Sequence, residues 1–144
     1  MRVASIVFYL LIITTPLFSQ IKCSDLKGDW TTCNKDSLYY KSDTLTMYQD
    51  ANYTVQSGCC HYVNWKITSK KNIKIENAFL CTEPGRLSSS NDKEVFKLSK
   101  TQGQQVITIK RSGTEIGKFQ ILKLEEQKVN RYPHYIKLLT LKRL

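Results

Sequence analysis

The chain has 144 residues, with 22 lysines and arginines against 12 aspartates and glutamates and a formal charge of +10. Such a surface attracts anions, whether nucleic acid, acidic glycans or an anionic membrane face, but no arginine-aromatic motif of a nucleic-acid module occurs, so no specific nucleic-acid partner is expected. The lysines are spread over almost every segment rather than run together, the arrangement of a surface that is basic for solubility.

Residues 1–19 stand apart from the rest. Arg2 supplies a positive start, residues 3–18 are a nearly uncharged apolar run with Pro16 near its end, and small or polar residues follow. This pattern is a secretory signal, cleaved near Ser19 or Gln20. The run is shorter than the ~20 residues of a membrane span, so an integral membrane protein is not expected. Lys22 stands where a lipidation signal ahead of Cys23 needs a small residue, so no lipid anchor is expected either. Removing the signal leaves about 125 residues, 20–144, the size of a single domain. All five cysteines lie there. In an exported chain they imply disulfides and an oxidising compartment, secreted or periplasmic. Five is odd, and Cys23, nearest the new N-terminus, is the spare.

Residues 24–33 open with a turn and continue as a strand carrying Gly28, Asp29 and Trp30. Residues 36–41, polar with two tyrosines, read as a loop or a short turn. Residues 43–49 alternate Leu45 and Met47 against Thr44, Thr46 and Tyr48, which marks a strand. Asp50, Ala51 and Asn52 turn the chain, and residues 53–57 return as its hairpin partner. Asn52-Tyr53-Thr54 is a glycosylation sequon, usable in a eukaryotic secretory route.

The best-defined stretch is residues 59–81. Val63, Trp65 and Ile67 alternate with polar residues, as do Ile73 and Ile75, so two strands each bury one face. A two-residue slip would keep the same faces and put Val63 opposite Phe79, but with Ser69, Lys70 and Lys71 as the loop, Ile67 faces Ile73, Trp65 faces Ile75 and His61 faces Phe79. Extending the same register places Cys59 opposite Cys81, a bridge worth roughly 3 kcal/mol on the chain-entropy account. Cys60 points to the other face, and Cys33 is its candidate partner.

Glu83-Pro84-Gly85 signals a turn. Residues 86–93 are polar and serine-rich and read as a mobile loop. Residues 94–99 form a strand with Phe96 and Leu98 inward, residues 105–110 return with Ile107 and Ile109 on one face, and residues 116–124 follow. There Phe119 and Ile121 fall out of phase with Leu122 and Leu124, the mark of a bulge. Residues 125–131 are charged and read as a helical turn ended by Pro133. Residues 135–141 form the last strand. The sum is about eight or nine short strands joined by tight turns. The expected fold is all-β, a single up-and-down antiparallel barrel that leaves no open edge, with an immunoglobulin-like sandwich as runner-up.

At Gly28-Asp29-Trp30 the chain carries a G-x-W motif on its first strand and resembles the lipocalins and the wider calycin barrels, in particular small lipocalin-like domains of secreted bacterial proteins. The resemblance covers most of residues 26–143. It implies that Trp30 packs at the closed end of a barrel beneath a basic residue from a late strand, here Lys142 or Arg143, and it implies a ligand pocket inside.

Chemistry has little footing in the sequence. Cys59-Cys60-His61 lacks the spacing of a zinc site, the two histidines are His61 and His134, and neither a nucleophile elbow nor a phosphate-cradling loop occurs. No catalytic residue, metal or cofactor is expected. Tyrosines and the two tryptophans suit a ligand pocket or an interface as well as ordinary sheet packing. Two functions follow as expectations. One is a non-enzymatic carrier that holds a small apolar or amphipathic ligand among Trp65, Ile67, Ile73, Ile75 and Phe96. The other is a solid barrel whose basic exterior, or the 86–93 loop, meets an anionic surface or glycan.

Overall fold

The computed structural model describes residues 20–49, 58–82, 84–128 and 135–144. The leader (1–19), the expected turn and sequon at Asp50–Asn52 with the return strand at 53–57, Glu83 of the expected turn, and residues 129–134 with His134 lie outside the described residues. In chain order the elements are β1 (Gly28–Cys33), a 3-10 turn (Lys35–Ser37), one helical turn α1 (Leu38–Lys41), β2 (Thr44–Gln49), β3 (His61–Ile67), β4 (Ile73–Phe79), β5 (Arg86–Ser89), β6 (Glu94–Thr101), β7 (Gln104–Arg111), β8 (Thr114–Lys128) and β9 (Tyr135–Arg143). Among the described residues no helix is long and apolar enough to cross a membrane.

The protein is all-β. Among the described residues nine strands form one antiparallel sheet in the order β5-β4-β3-β1-β2-β9-β8-β7-β6. Two runs follow the expected up-and-down course, β3-β4-β5 and β6-β7-β8-β9. The first hairpin departs from it. β1 lies between β2 and β3 and pairs with both, so the described strands on either side of residues 50–57 are not paired with each other. β2 instead binds the last strand, with Leu45 opposite Leu141 and Met47 opposite Leu139.

The sheet is open but strongly curled. β5 and β6 are its two edges, eight strand spacings apart, which in a flat sheet is roughly 38 Å. Yet the chain passes from Ser89 to Glu94, a link that reaches at most about 18 Å when fully extended. The curl brings the start of β6 against the start of β4. Asn72 and Val95 form a β-bridge, the Phe96 N–H donates to the Lys71 carbonyl at 2.9 Å, and the Ile75 N–H donates to Glu94 Oε2 at 2.6 Å. Arg111 completes this seam, its Nε donating to the other Glu94 oxygen at 2.8 Å. β5 peels away from this junction, pairing with β4 only from Glu76 to Phe79.

The β3–β4 hairpin has the register that apolar alternation gives: Ile67 opposite Ile73, Trp65 opposite Ile75, His61 opposite Phe79. The bridges beyond it are exchanged relative to expectation. Cys60 pairs with Cys81 and Cys33 with Cys59; Cys23 is free. The reason is where the ladder stops. Single backbone hydrogen bonds carry both pairings one residue past the ladders, the Leu80 N–H on the Cys60 carbonyl at 2.9 Å and the Asn34 N–H on the His61 carbonyl at 2.7 Å, and residues 59 and 60 are no longer strand. Cys60 is then the residue beside Cys81, and Cys59 swings to the end of β1. Strict alternation, extrapolated two residues past the last ladder pair, exchanges the partners.

Two further segments differ from their sequence reading. Residues 125–128 continue β8 as strand, because Glu125, Glu126, Gln127 and Lys128 each find a partner on β9 and pairing overrides a charged run's helix propensity. Residues 86–89 of the expected loop form β5, every residue of it exposed. The expected bulge is present: the β8–β9 register shifts between Ile121 and Lys123, which leaves Leu122 44% exposed. The turns on either side of β7 are two-residue ones. Both residues of Gln102-Gly103 and of Ser112-Gly113 have positive φ, the twist that matches antiparallel strands.

Candidate functional site

The concave face of the sheet is the core. Trp65, Ile67, Ile73, Ile75 and Phe96, the five side chains expected to line a ligand cavity, are all buried there and belong to one contiguous cluster with Trp30, Met47, Ile107, Phe119, Leu139 and Leu141. They pack against other side chains.

Trp30 and Trp65 face each other across β1 and β3. The Trp30 indole N–H donates to the Leu26 carbonyl at 2.7 Å, which fastens the N-terminal turn under the sheet. Trp65 donates to the Tyr39 hydroxyl at 3.0 Å and meets Phe119 edge-on, centroids 5.4 Å apart. Arg143, at the end of β9, lies 4.9 Å from the Phe119 centroid and 5.6 Å from that of Tyr39, and its Nη2 donates to the Tyr39 carbonyl. The rings that receive Arg143 are therefore Phe119 and Tyr39. A Cβ on Gly117 would stand 2.7 Å from Phe119 Cε2, so that glycine makes room for the ring. Burial pushes the Tyr39 phenol up to about 12, against the lowering effects of the Trp65 hydrogen bond and the Arg143 charge. Gly28 has a different task. Its φ is +129°, and a Cβ there would collide with the Gln49 amide, which donates to the Lys27 carbonyl at 2.5 Å.

The convex side carries charge. On β3 and β4, Glu76 is 7% exposed and bridges Lys66 at 3.0 Å and Lys74 at 2.9 Å. Burial alone pushes its carboxyl up, but the hydrogen bonds and charges of Lys74 and Lys66 outweigh that and hold it below the ordinary value.

A groove of about 740 Å³ opens where the tip of the β3–β4 hairpin approaches β6. Cross-strand register builds its wall: Val95 stands opposite Lys110 and Lys97 opposite Thr108, and these continue onto Glu115 and Lys118 of β8. The hairpin tip adds Lys70 and Lys71, and Cys23 borders the groove from the N-terminal segment. Five lysines thus meet one glutamate around a single depression. All five are exposed, so their charge acts on whatever enters. The lysines that look dispersed along the chain are gathered here by the fold. Alternation places Lys97 and Lys110 outward, opposite in phase to Phe96 and Ile109, and that much is readable from sequence. Their meeting with Lys70 and Lys71 depends on the curl that carries β6 round to the hairpin tip, and no local pattern encodes it.

Among the described residues no group of three or more histidines, cysteines, aspartates or glutamates is placed to hold a metal ion. Comparison with protein-family models, with curated proteins and with solved structures found no match.

Proposed function

We propose that the protein is an exported, non-enzymatic interaction module that binds an anionic partner in the lysine groove between the β3–β4 tip and β6. The carrying observation is the concentration of five lysines against one glutamate around one depression of about 740 Å³. Export is supported by two disulfides, which persist in oxidising compartments, together with the signal pattern of residues 1–19. The packing of Trp65, Ile67, Ile73, Ile75 and Phe96 into the core supports an outer site over an internal ligand. The likeness to lipocalins is kept as one of architecture: a curled antiparallel sheet, a tryptophan on its first strand and an arginine closing its last.

Retention on immobilised heparin, used as a generic polyanion, tests the reading. Binding is expected at low salt and lost in moderate salt, since exposed charges are screened over about 10 Å at 0.1 M. The double variant K70E/K71E should elute well before the parent protein. Equal elution of the two, or no retention of either, contradicts the proposal. In parallel, a fluorescent fatty-acid probe should show no saturable binding; a probe that binds and is displaced by an unlabelled fatty acid restores the carrier reading.

A further inference from the structure

The groove has a second property beyond its charge. It runs along a strand edge that, past the Asn72–Val95 bridge, no strand among the described residues pairs. In an antiparallel pair the backbone groups of successive residues point alternately toward and away from the neighbouring strand. The Phe96 N–H points away from β7, because it donates to the Lys71 carbonyl. Two and four residues on, the backbone groups of Leu98 and Lys100 face the same way. The hairpin tip ends at Lys70 and Lys71, and the bridge from β4 to β6 is the single pair Asn72–Val95. Past it, β6 continues to Thr101 with β7 as its one ladder partner. The outward N–H and C=O groups of Leu98 therefore open into the groove that Lys70, Lys71 and Lys97 flank, and those of Lys100 continue the same edge beyond it.

We propose that this edge takes an extended acidic peptide as an added antiparallel or parallel strand, a deepening that rests on the anion-binding reading above. A free strand edge offers alternating donors and acceptors at a strand's own repeat, a pattern that a peptide backbone matches and a polysaccharide does not. Side chains of an added strand alternate between faces. Those on the convex face would reach Lys97, and those at the end nearest the hairpin would reach Lys70 and Lys71. Glutamate or aspartate at alternate positions fits that spacing. The edge is also a hazard for self-pairing, and lysine is the residue that commonly blunts such edges. Here the lysines that repel a second copy of this basic chain are the ones that admit an acidic strand.

The probe is a fluorescein-labelled peptide of alternating glutamate and threonine, titrated with the full exported chain at low salt and followed by anisotropy. Three comparisons accompany it: the same peptide N-methylated at alternate residues, a heparin oligosaccharide as competitor, and the variants K100P and K100Q. Proline at 100 removes one outward donor of this edge while leaving the β7 ladder intact, and glutamine controls for the lost charge. The unmodified peptide should bind. One N-methylated register should bind roughly tenfold more weakly, as expected for lost hydrogen bonds, and K100P should weaken binding several-fold more than K100Q. The N-methylation arm leaves the protein untouched, so its outcome does not depend on how a variant folds. Peptide binding indifferent to N-methylation in either register overturns strand addition. Heparin binding with no peptide binding overturns it too, while leaving the anion-binding reading in place; binding of neither removes both.

Discussion

Tyr39 is the residue on which β3 and the end of β9 converge. Its hydroxyl accepts from Trp65 at 3.0 Å, its carbonyl accepts from Arg143, and its ring lies beneath the same guanidinium. The G-x-W resemblance points to Gly28, Trp30 and Arg143. Gly28 has a positive φ and Trp30 is fully buried with its indole on the Leu26 carbonyl, while Arg143 lies over Phe119 and Tyr39. The rings beneath Arg143 were not legible, because Tyr39 reaches them through a 3-10 turn and a four-residue helix that sequence reads only as a loop or a short turn. Three predictions belong at this scale. Tyr39, with its folded value raised to about 12 from 10.0, favours the folded state fully below pH 10 and ceases to do so as pH rises through 12. In an alkaline absorbance titration one phenol should ionise only with unfolding, and Y39F should remove that late step. Glu76 has the opposite sign. Its folded value lies below the ordinary 4.5, so its contribution is present above pH 4.5 and is lost as pH falls through the folded value; E76Q should flatten the acid limb of stability in urea titrations. G28A forces a side chain into positive φ and against Gln49, and should destabilise by about 2 kcal/mol in the same assay.

Among elements, the strands and faces of the β3–β4 hairpin were legible, and of the two registers alternation allows, the structure has the one that aligns His61 with Phe79 rather than Val63 with Phe79. Legibility ended one residue further on, where the chain left the ladder and the cysteine partners exchanged. β8 was misread at its end for a related reason. Glu125 and Glu126 are charged and helix-tolerant in isolation, but Leu138 and Lys137 of β9 stand opposite them, and a partner strand ninth in order is invisible to a local window. β5 carries no apolar alternation, as all four of its residues are exposed; its backbone pairing with β4 makes it a strand. The bridge from Cys60 to Cys81 spans 21 residues, so C60S/C81S should lower stability by about 3 kcal/mol on the chain-entropy account, read from the urea midpoint. Mass mapping of the non-reduced protein with C60S/C81S in place should still find Cys33 joined to Cys59; a Cys59–Cys81 linkage in the parent chain would contradict the structure.

At the scale of the whole molecule, the all-β class follows from alternation and turns, while the strand order does not. Placing β1 between β2 and β3 requires knowing that β2 binds the last strand, a contact between Leu45 and Leu141 that spans most of the chain. The curl then does two things together. It packs the concave face into one core, and it carries the outward lysines of β6 to those of the hairpin tip. The seam that fixes this approach depends on Glu94, 5% exposed, which holds both the Ile75 N–H and Arg111. E94A strands a buried donor and should cost about 1–3 kcal/mol, and it should weaken heparin retention even though no lysine is removed.

In the proposed function an anionic partner meets the outside of this sheet at the lysine groove, while the concave face packs into the protein's own core. A titration of the isotope-labelled protein with a heparin oligosaccharide, read residue by residue in NMR amide spectra, tests it most directly. The account predicts salt-sensitive shifts at Lys70, Lys71, Lys97, Lys110 and Lys118, with the Trp30 and Trp65 indole signals unmoved. Shifts centred on the two indoles, or none at the five lysines, would contradict it.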